Sequence, residues 1–157
     1  MKKALGLASV LLVLLSIVPT LPAAQAAPSQ TAKRAITLDD LFKIKSVGDP
    51  QRSPDGKWVA YTVGTTDLEK DKRDTDLWMV GWDGGEEIRL TSSPDVESTP
   101  RWSPDGRYLA FLASRGTEEE KKLGAQVWLL DRRGGEAQRL TEIKGGVGGY
   151  AWSPDGK

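Results

Sequence analysis

Short apolar runs alternate with turn-forming clusters along most of the chain, and the runs predict strands rather than helices. Lys57-Trp58-Val59-Ala60-Tyr61-Thr62-Val63 and Arg107-Tyr108-Leu109-Ala110-Phe111-Leu112 are rich in aromatic and β-branched residues and too short for a stable helix. In the first run Val59, Tyr61 and Val63 fall on one face and Trp58, Ala60 and Thr62 on the other. Both faces are largely apolar, so this strand should be covered on both sides. A further strand is predicted at Asp76-Leu77-Trp78-Met79-Val80 and again at Gln126-Val127-Trp128-Leu129-Leu130. Asp83-Gly84-Gly85 and Arg133-Gly134-Gly135 then supply the positive φ that tight hairpins demand. After each comes a more polar, alternating strand, residues 87–91 or 137–141, as suits an outer edge. A short strand precedes each Ser-Pro-Asp-Gly cluster, as at residues 98–103.

These elements recur at a fixed step. Ser53-Pro54-Asp55-Gly56, Ser103-Pro104-Asp105-Gly106 and Ser153-Pro154-Asp155-Gly156 stand 50 residues apart. Trp78 maps to Trp128, Gly84-Gly85-Glu86 to Gly134-Gly135-Glu136, and Arg89-Leu90-Thr91 to Arg139-Leu140-Thr141. Ser-Pro-Asp-Gly is turn chemistry: proline presets φ, Asp bonds its own backbone and Gly accepts positive φ, which makes each copy a strand-to-strand corner. Four antiparallel strands per repeat of this length are the signature of a β-propeller, which closes with about 4–8 blades. An open β-solenoid fits less well, because the turn positions match hairpin chemistry. The sequence therefore reads as all-β: a partial β-propeller of two four-stranded blades plus the start of a third, preceded by a signal peptide and a short N-terminal helix. Blade 1 covers about 49–91, blade 2 about 96–141 and the opening of blade 3 residues 146–157, so 49–157 form an incomplete propeller expected to continue in a longer protein.

Residues 1–26 have the layout of a signal peptide: Lys2 and Lys3, an apolar run from Ala4 to Val18, and small residues around Ala24-Gln25-Ala26. Pro19 and Pro22 interrupt the run and count against an uncleaved anchor helix. Export to the periplasm or the exterior is the expectation. Residues 27–35 read as a flexible leader. In the 36–48 region Thr37 can cap a short helix whose first turn holds Asp39 and Asp40. Leu38, Leu41 and Phe42 share one face of it, which is expected to plug onto the first blade.

Composition narrows the chemistry. Lys plus Arg and Asp plus Glu number 22 each, which gives no electrostatic argument for nucleic acid or a membrane surface. Cys and His are both absent from the 157 residues, so neither a disulfide nor a Ser-His-Asp triad can be completed within them. No catalytic, cofactor-binding or metal-binding residue is assigned, and no cofactor is expected. The charged excursions at residues 65–74 and 115–122 read as solvated hairpin tips, or as loops bordering a ligand passage. Asp71, Asp74 and Asp76 lack the glycine and terminal Glu of a calcium loop. Gly145-Gly146-Val147-Gly148-Gly149 lacks the following helix and Lys-Ser or Lys-Thr of a phosphate loop, and reads as a connection between blades. Trp58, Trp78, Trp102, Trp128 and Trp152 follow the repeat and are explained by packing. Trp82 faces Arg132 in the alignment of repeats, and is the tryptophan open to a carbohydrate- or peptide-stacking role.

The succession Ile36-Thr37-Leu38-Asp39-Asp40-Leu41, Ser53-Pro54-Asp55-Gly56-Lys57-Trp58-Val59-Ala60-Tyr61, Asp76-Leu77-Trp78, Gly84-Gly85-Glu86 with Arg89-Leu90-Thr91, and Trp102-Ser103-Pro104-Asp105-Gly106 resembles the start of exported prolyl oligopeptidase family serine peptidases. It is most similar to their acylaminoacyl-peptidase and dipeptidyl-peptidase branch, over residues 36–157. TolB-like periplasmic propellers carry similar corners. One departure is Arg52, where the later copies have Trp102 and Trp152. The resemblance implies a propeller gating a downstream α/β-hydrolase domain that bears the Ser, Asp and His, with short peptides as substrates. The other class is a TolB-like exported scaffold that binds proteins without catalysis. Neither nucleic acid nor a lasting membrane span is expected as a partner, and oligomeric state is left open.

Overall fold

Each 50-residue repeat folds into one four-stranded antiparallel sheet, in a computed structural model that describes residues 33–156. The signal-peptide reading and most of the leader lie outside the described residues. A six-residue helix α1 (Leu38–Lys43) comes first. The first sheet follows in chain order, β1 (Ser46–Arg52), β2 (Trp58–Asp67), β3 (Lys72–Gly81) and β4 (Glu87–Arg89). The second repeats the order with β5 (Glu97–Trp102), β6 (Tyr108–Ala113), β7 (Gln126–Asp131) and β8 (Gln138–Arg139), and a one-turn helix α2 (Glu118–Lys121) sits between β6 and β7.

The first strand of each sheet is bent at the same place. Its pairing with the second strand slips between Gly48 and Gln51 in one sheet and between Ser98 and Arg101 in the other. Asp49 and Thr99 take positive φ, 44° and 55°, inside these bulges. The next residue is Pro50 or Pro100, which has no N–H to give to a ladder, so both prolines sit on an edge strand at a bulge, where a sheet tolerates them.

The two sheets stack through the faces that the alternation predicts. Ala60, Leu77 and Met79 of the first meet Trp102, Leu109, Phe111, Ala113 and Leu130 of the second in one buried cluster, with Trp58, Ile88 and Trp128 at its margin. The far face of the second sheet, Ala110, Leu112, Val127 and Leu129, gathers Val147, Tyr150 and Trp152 from the chain beyond β8. Those later residues hold a third corner but form no strand within the described residues.

Three expectations change. The 65–74 excursion is a hairpin tip, as one of its two readings has it, but a shorter one: β2 and β3 pair as far as Asp67 and Lys72, leaving a turn at residues 68–71 with Asp71 at φ 47°. Thr65 and Thr66 suit the pleat, and that preference outweighs their polarity. In the second sheet the matching stretch holds α2, where the Thr117 hydroxyl accepts from Glu120 N–H at 3.3 Å and Glu120 accepts from Thr117 N–H at 2.8 Å. This is a capping box, and the Thr-x-x-Glu spelling that announces it is present in the sequence. Third, α1 does not bury its apolar face: Leu38 is 76%, Leu41 51% and Phe42 45% exposed. Thr37 and Asp40 do close its first turn, with the Asp40 carboxylate accepting from Thr37 N–H and Oγ1–H at 2.9 Å. Asp39, Phe42 and Lys43 of the helix line a cleft with Thr66, Asp67 and Leu68, at the far end of β2.

Candidate functional site

The corners are built identically from their own side chains. In each the Gly N–H returns to the Ser carbonyl at 2.8–2.9 Å while the Ser hydroxyl donates to the Asp carboxylate at 2.5–2.6 Å. The glycines hold φ of 71°, 68° and 72°, a conformation that costs glycine nothing. The corners also stack on one another. A Cβ on Gly106 would lie 3.5 Å from the Pro54 ring, and one on Gly156 would lie 3.8 Å from the Pro104 ring. The Ser53 hydroxyl, the Lys57 N–H and Arg132 together hold the Asp55 carboxyl down at about 2.

Each blade clasps the first strand of the blade before it. Trp102 Nε1–H donates to the Gln51 carbonyl at 3.0 Å, and Trp152 Nε1–H donates to the Arg101 carbonyl at 3.0 Å. Tyr150 O–H adds a bond of 2.6 Å to the carbonyl of the bulged Thr99. Two ion pairs cross the first joint, Arg101 to Asp49 at 3.0 Å and Arg132 to Asp55 at 3.2 Å. Arg52, in place of the tryptophan, folds over its own corner instead, reaching toward the Gly56 carbonyl and stacking 4.5 Å from the centroid of Trp82.

The same joint buries a polar cluster. Glu97, the first residue of β5, is 0% exposed. Its carboxylate accepts from Thr91 Oγ1–H, and Thr91 in turn accepts from Leu77 N–H at 2.9 Å. The other oxygen of Glu97 has no hydrogen-bond partner and lies 3.5 Å from the Arg115 guanidinium. Asp76 pairs with Arg89 at 2.5 Å, and one oxygen each of Asp74 and Asp76 is also buried without a hydrogen bond. Burial lifts the Glu97 carboxyl to about 7, with Asp76 adding to it and Thr91 and Arg115 opposing. Burial and the neighbouring Asp74 raise Asp76 as well, against the pull of Arg89. Among the described residues no group of three or more acidic, His or Cys side chains is arranged to hold a metal ion.

The residues singled out in the sequence fall as follows. Trp82 is 62% exposed and lines a cleft of about 510 Å³ with Lys57, Trp58, Asp83 and Glu86, one ring face being taken by Arg52. Asp76 joins the buried cluster, whereas Asp71 is an exposed turn residue. Gly146 packs against Gly124 and Ala125, and Val147 N–H bonds the Ala125 carbonyl at 2.7 Å, so the glycine-rich stretch is a close backbone crossing at the start of β7. Glu97, Thr91 and Arg115 escaped the sequence reading. Thr91 was visible as half of the Thr91/Thr141 repeat, since Thr141 Oγ1 accepts from Val127 N–H at 2.9 Å in the same way. Glu97 carried no such signal, because valine stands at positions 47 and 147.

No protein-family model matches the chain. The uncharacterized peptidase YuxL of Bacillus subtilis (strain 168) is 40% identical over 69 residues, which are 44% of this chain and 10% of that protein. The acylaminoacyl peptidase of Pyrococcus horikoshii, in its orthorhombic crystal form, superposes with a TM-score of 0.52 at 26% identity, covering 66% of this chain and 15% of that one. An acylaminoacyl peptidase in complex with Z-Gly-Gly-Phe-chloromethyl ketone also superposes with a TM-score of 0.52, at 27% identity, covering 67% of this chain and 15% of that one. The chain therefore matches only a small part of each relative's length. With two stacked four-stranded blades in a 50-residue repeat on one side and these relatives on the other, the chain is similar to a propeller portion of a prolyl oligopeptidase family peptidase.

Proposed function

We propose that these blades belong to an exported serine-type peptidase and gate its active site, admitting short peptides and holding folded chains out. The observation that carries the reading is the 40% identity to a peptidase along a stretch with no means of performing the chemistry. Without His the described blades cannot supply the proton shuttle of a Ser-His-Asp triad, so their contribution is steric and orienting. A ring of stacked sheets suits that role, because its passage is narrow and its walls are held by packing rather than by mobile loops. The nucleophile, Asp and His would come from an α/β-hydrolase domain encoded beyond Lys157.

The test is to read the coding sequence past Lys157 and to treat its full product with a fluorophosphonate probe and with peptides of increasing length. A Gly-x-Ser-x-Gly elbow, covalent labelling and a rate that falls with peptide length support the proposal. A sequence that ends with the last blade and a product that takes no label would overturn it, leaving a binding scaffold. Export has its own check: the N-terminus of the mature protein should be Ala27, and recovery of an intact Met1 from the exterior fraction would refute cleavage.

A further inference from the structure

We propose that Asp83-Gly84, at the tip of the β3–β4 hairpin, is a site of spontaneous backbone modification, where aspartate converts through a succinimide to isoaspartate, and that the corners carrying the same dipeptide are built to resist it. Asp-Gly occurs at 55–56, 83–84, 105–106 and 155–156. In every copy the Gly N–H returns to the carbonyl three residues back: Gly56 to Ser53, Gly106 to Ser103 and Gly156 to Ser153 at 2.8–2.9 Å, and Gly84 to Gly81 at 2.8 Å. All the copies therefore hold the two reacting groups in one kind of turn, and what differs is their surroundings.

The difference begins at the first two positions. Each corner opens with Ser-Pro, whereas the hairpin turn opens with Gly81-Trp82. The Ser53 and Ser103 hydroxyls donate to the Asp55 and Asp105 carboxylates at 2.5 and 2.6 Å, and the N–H two residues further on adds a second bond at 3.1 and 3.0 Å. These bonds, the serine hydroxyl foremost, hold both carboxyls below their ordinary value. Asp83 keeps the second kind of bond, from Gly85 N–H at 3.1 Å, but Gly81 has no side chain to give the first. Proline also fixes φ in each corner, and the following blade rests on it, Gly106 against the Pro54 ring and Gly156 against the Pro104 ring. Gly84 lies open among the described residues: a Cβ there would meet no atom within 4 Å, and residues 82–87 are exposed. In the second blade the same hairpin carries Arg133-Gly134 and has no Asp to react.

The reaction needs no cofactor and no oxidant. The Gly84 nitrogen attacks Cγ of Asp83, the proton of that nitrogen and the carboxyl hydroxyl leave together as water, and the succinimide ring opens when water adds back. Addition at the main-chain carbonyl breaks the original Asp83–Gly84 peptide bond and leaves the chain running through the side-chain carboxyl, longer by a methylene. Addition at Cγ restores aspartate. The hydroxyl leaves readily from a neutral carboxyl and poorly from an ionised one, so a hydrogen bond that favours the carboxylate slows the first step. Attack also requires the turn to open, which a tip flanked by glycines allows and a stacked Ser-Pro corner opposes. The lengthened backbone falls between Gly81 N–H and its acceptor, the Glu86 carbonyl at 3.2 Å, and beside the exposed Trp82.

The full chain would be aged at neutral pH for several weeks, folded in one arm and in urea in the other. Peptide mapping with electron-transfer fragmentation then separates isoaspartate from aspartate. In the folded chain isoaspartate at 83 should exceed that at 55 and at 105 by roughly tenfold or more, since a tenfold change in neutral carboxyl accompanies each pKa unit. In urea the sites should converge. Gly81→Ser, which supplies the hydroxyl that the corners have, should bring Asp83 down toward the corner rate. The proposal is overturned if Asp55 or Asp105 keeps pace with Asp83 in the folded chain, if the same excess persists in urea, or if Gly81→Ser folds and leaves Asp83 as reactive as before. Where that variant does not fold, the comparison of folded and unfolded wild type decides.

Discussion

Trp102 combines two roles that separate under substitution: its ring fills the cluster between the blades while its N–H reaches the Gln51 carbonyl. Trp102→Phe keeps most of the apolar area and deletes the bond, so urea denaturation should show a loss of about 1 kcal/mol plus a small cavity term. Arg132→Ala removes a half-exposed ion pair with Asp55 and should cost well under about 1 kcal/mol by the same measurement. The corner acids set an acid limit instead. The folded Asp55 carboxyl sits at about 2, below its ordinary 3.8, so its contribution is present above the ordinary value and is lost as pH falls from there toward about 2. Glu97 runs the other way: its folded value of about 7 lies above 4.5, so stability is greatest below 4.5 and declines as pH rises through 7. Thermal melts of Glu97→Gln should lose the decline between 4.5 and about 7, and an unchanged slope across that window would contradict the assignment.

At the scale of elements, the bulge in β1 and β5 can be probed in a pair of variants. Thr99 is β-branched at φ 55°, so Thr99→Gly should relieve strain and be neutral or stabilising by up to about 1 kcal/mol. Asp49→Gly relieves the same backbone but forfeits the Arg101 pair, so it should gain less. Denaturation of both variants checks the order. Phe111→Ala, at the centre of the shared cluster, should cost about 3–5 kcal/mol. The comparison with sequence is clearest here. Strand identities, hairpins and corners were legible because each depends on a local pattern that the repeat states more than once. The length of β2 and β3 was not, because cross-strand pairing carried a polar run into the sheet. The fourth strands, expected at 87–91 and 137–141, end at Arg89 and Arg139 for a related reason: the Thr91 and Thr141 hydroxyls take over the bond to the neighbouring strand that a ladder would have made. The buried polar cluster was illegible because its members come from four separate segments and only one of them repeats.

For the molecule as a whole, two apolar surfaces matter. One is the stripe on α1 that the blade leaves uncovered, and the other surrounds the exposed Leu140 and Ile143 after β8. The chain should therefore bind a hydrophobic dye, and replacing Leu41 and Phe42 by serine should lower that binding with a stability change within about 0.5 kcal/mol, since neither side chain is buried. An unaltered dye signal would place the sticky surface elsewhere. The tryptophan clasp has a temporal consequence. Its donor always belongs to the later blade and its acceptor to the earlier one, so during synthesis from the N-terminus every arriving indole finds its carbonyl already waiting on the nascent chain. Growth of this kind adds one wedge at a time in the order of translation, each new wedge both taking its anchor from the one before and covering that wedge's apolar face.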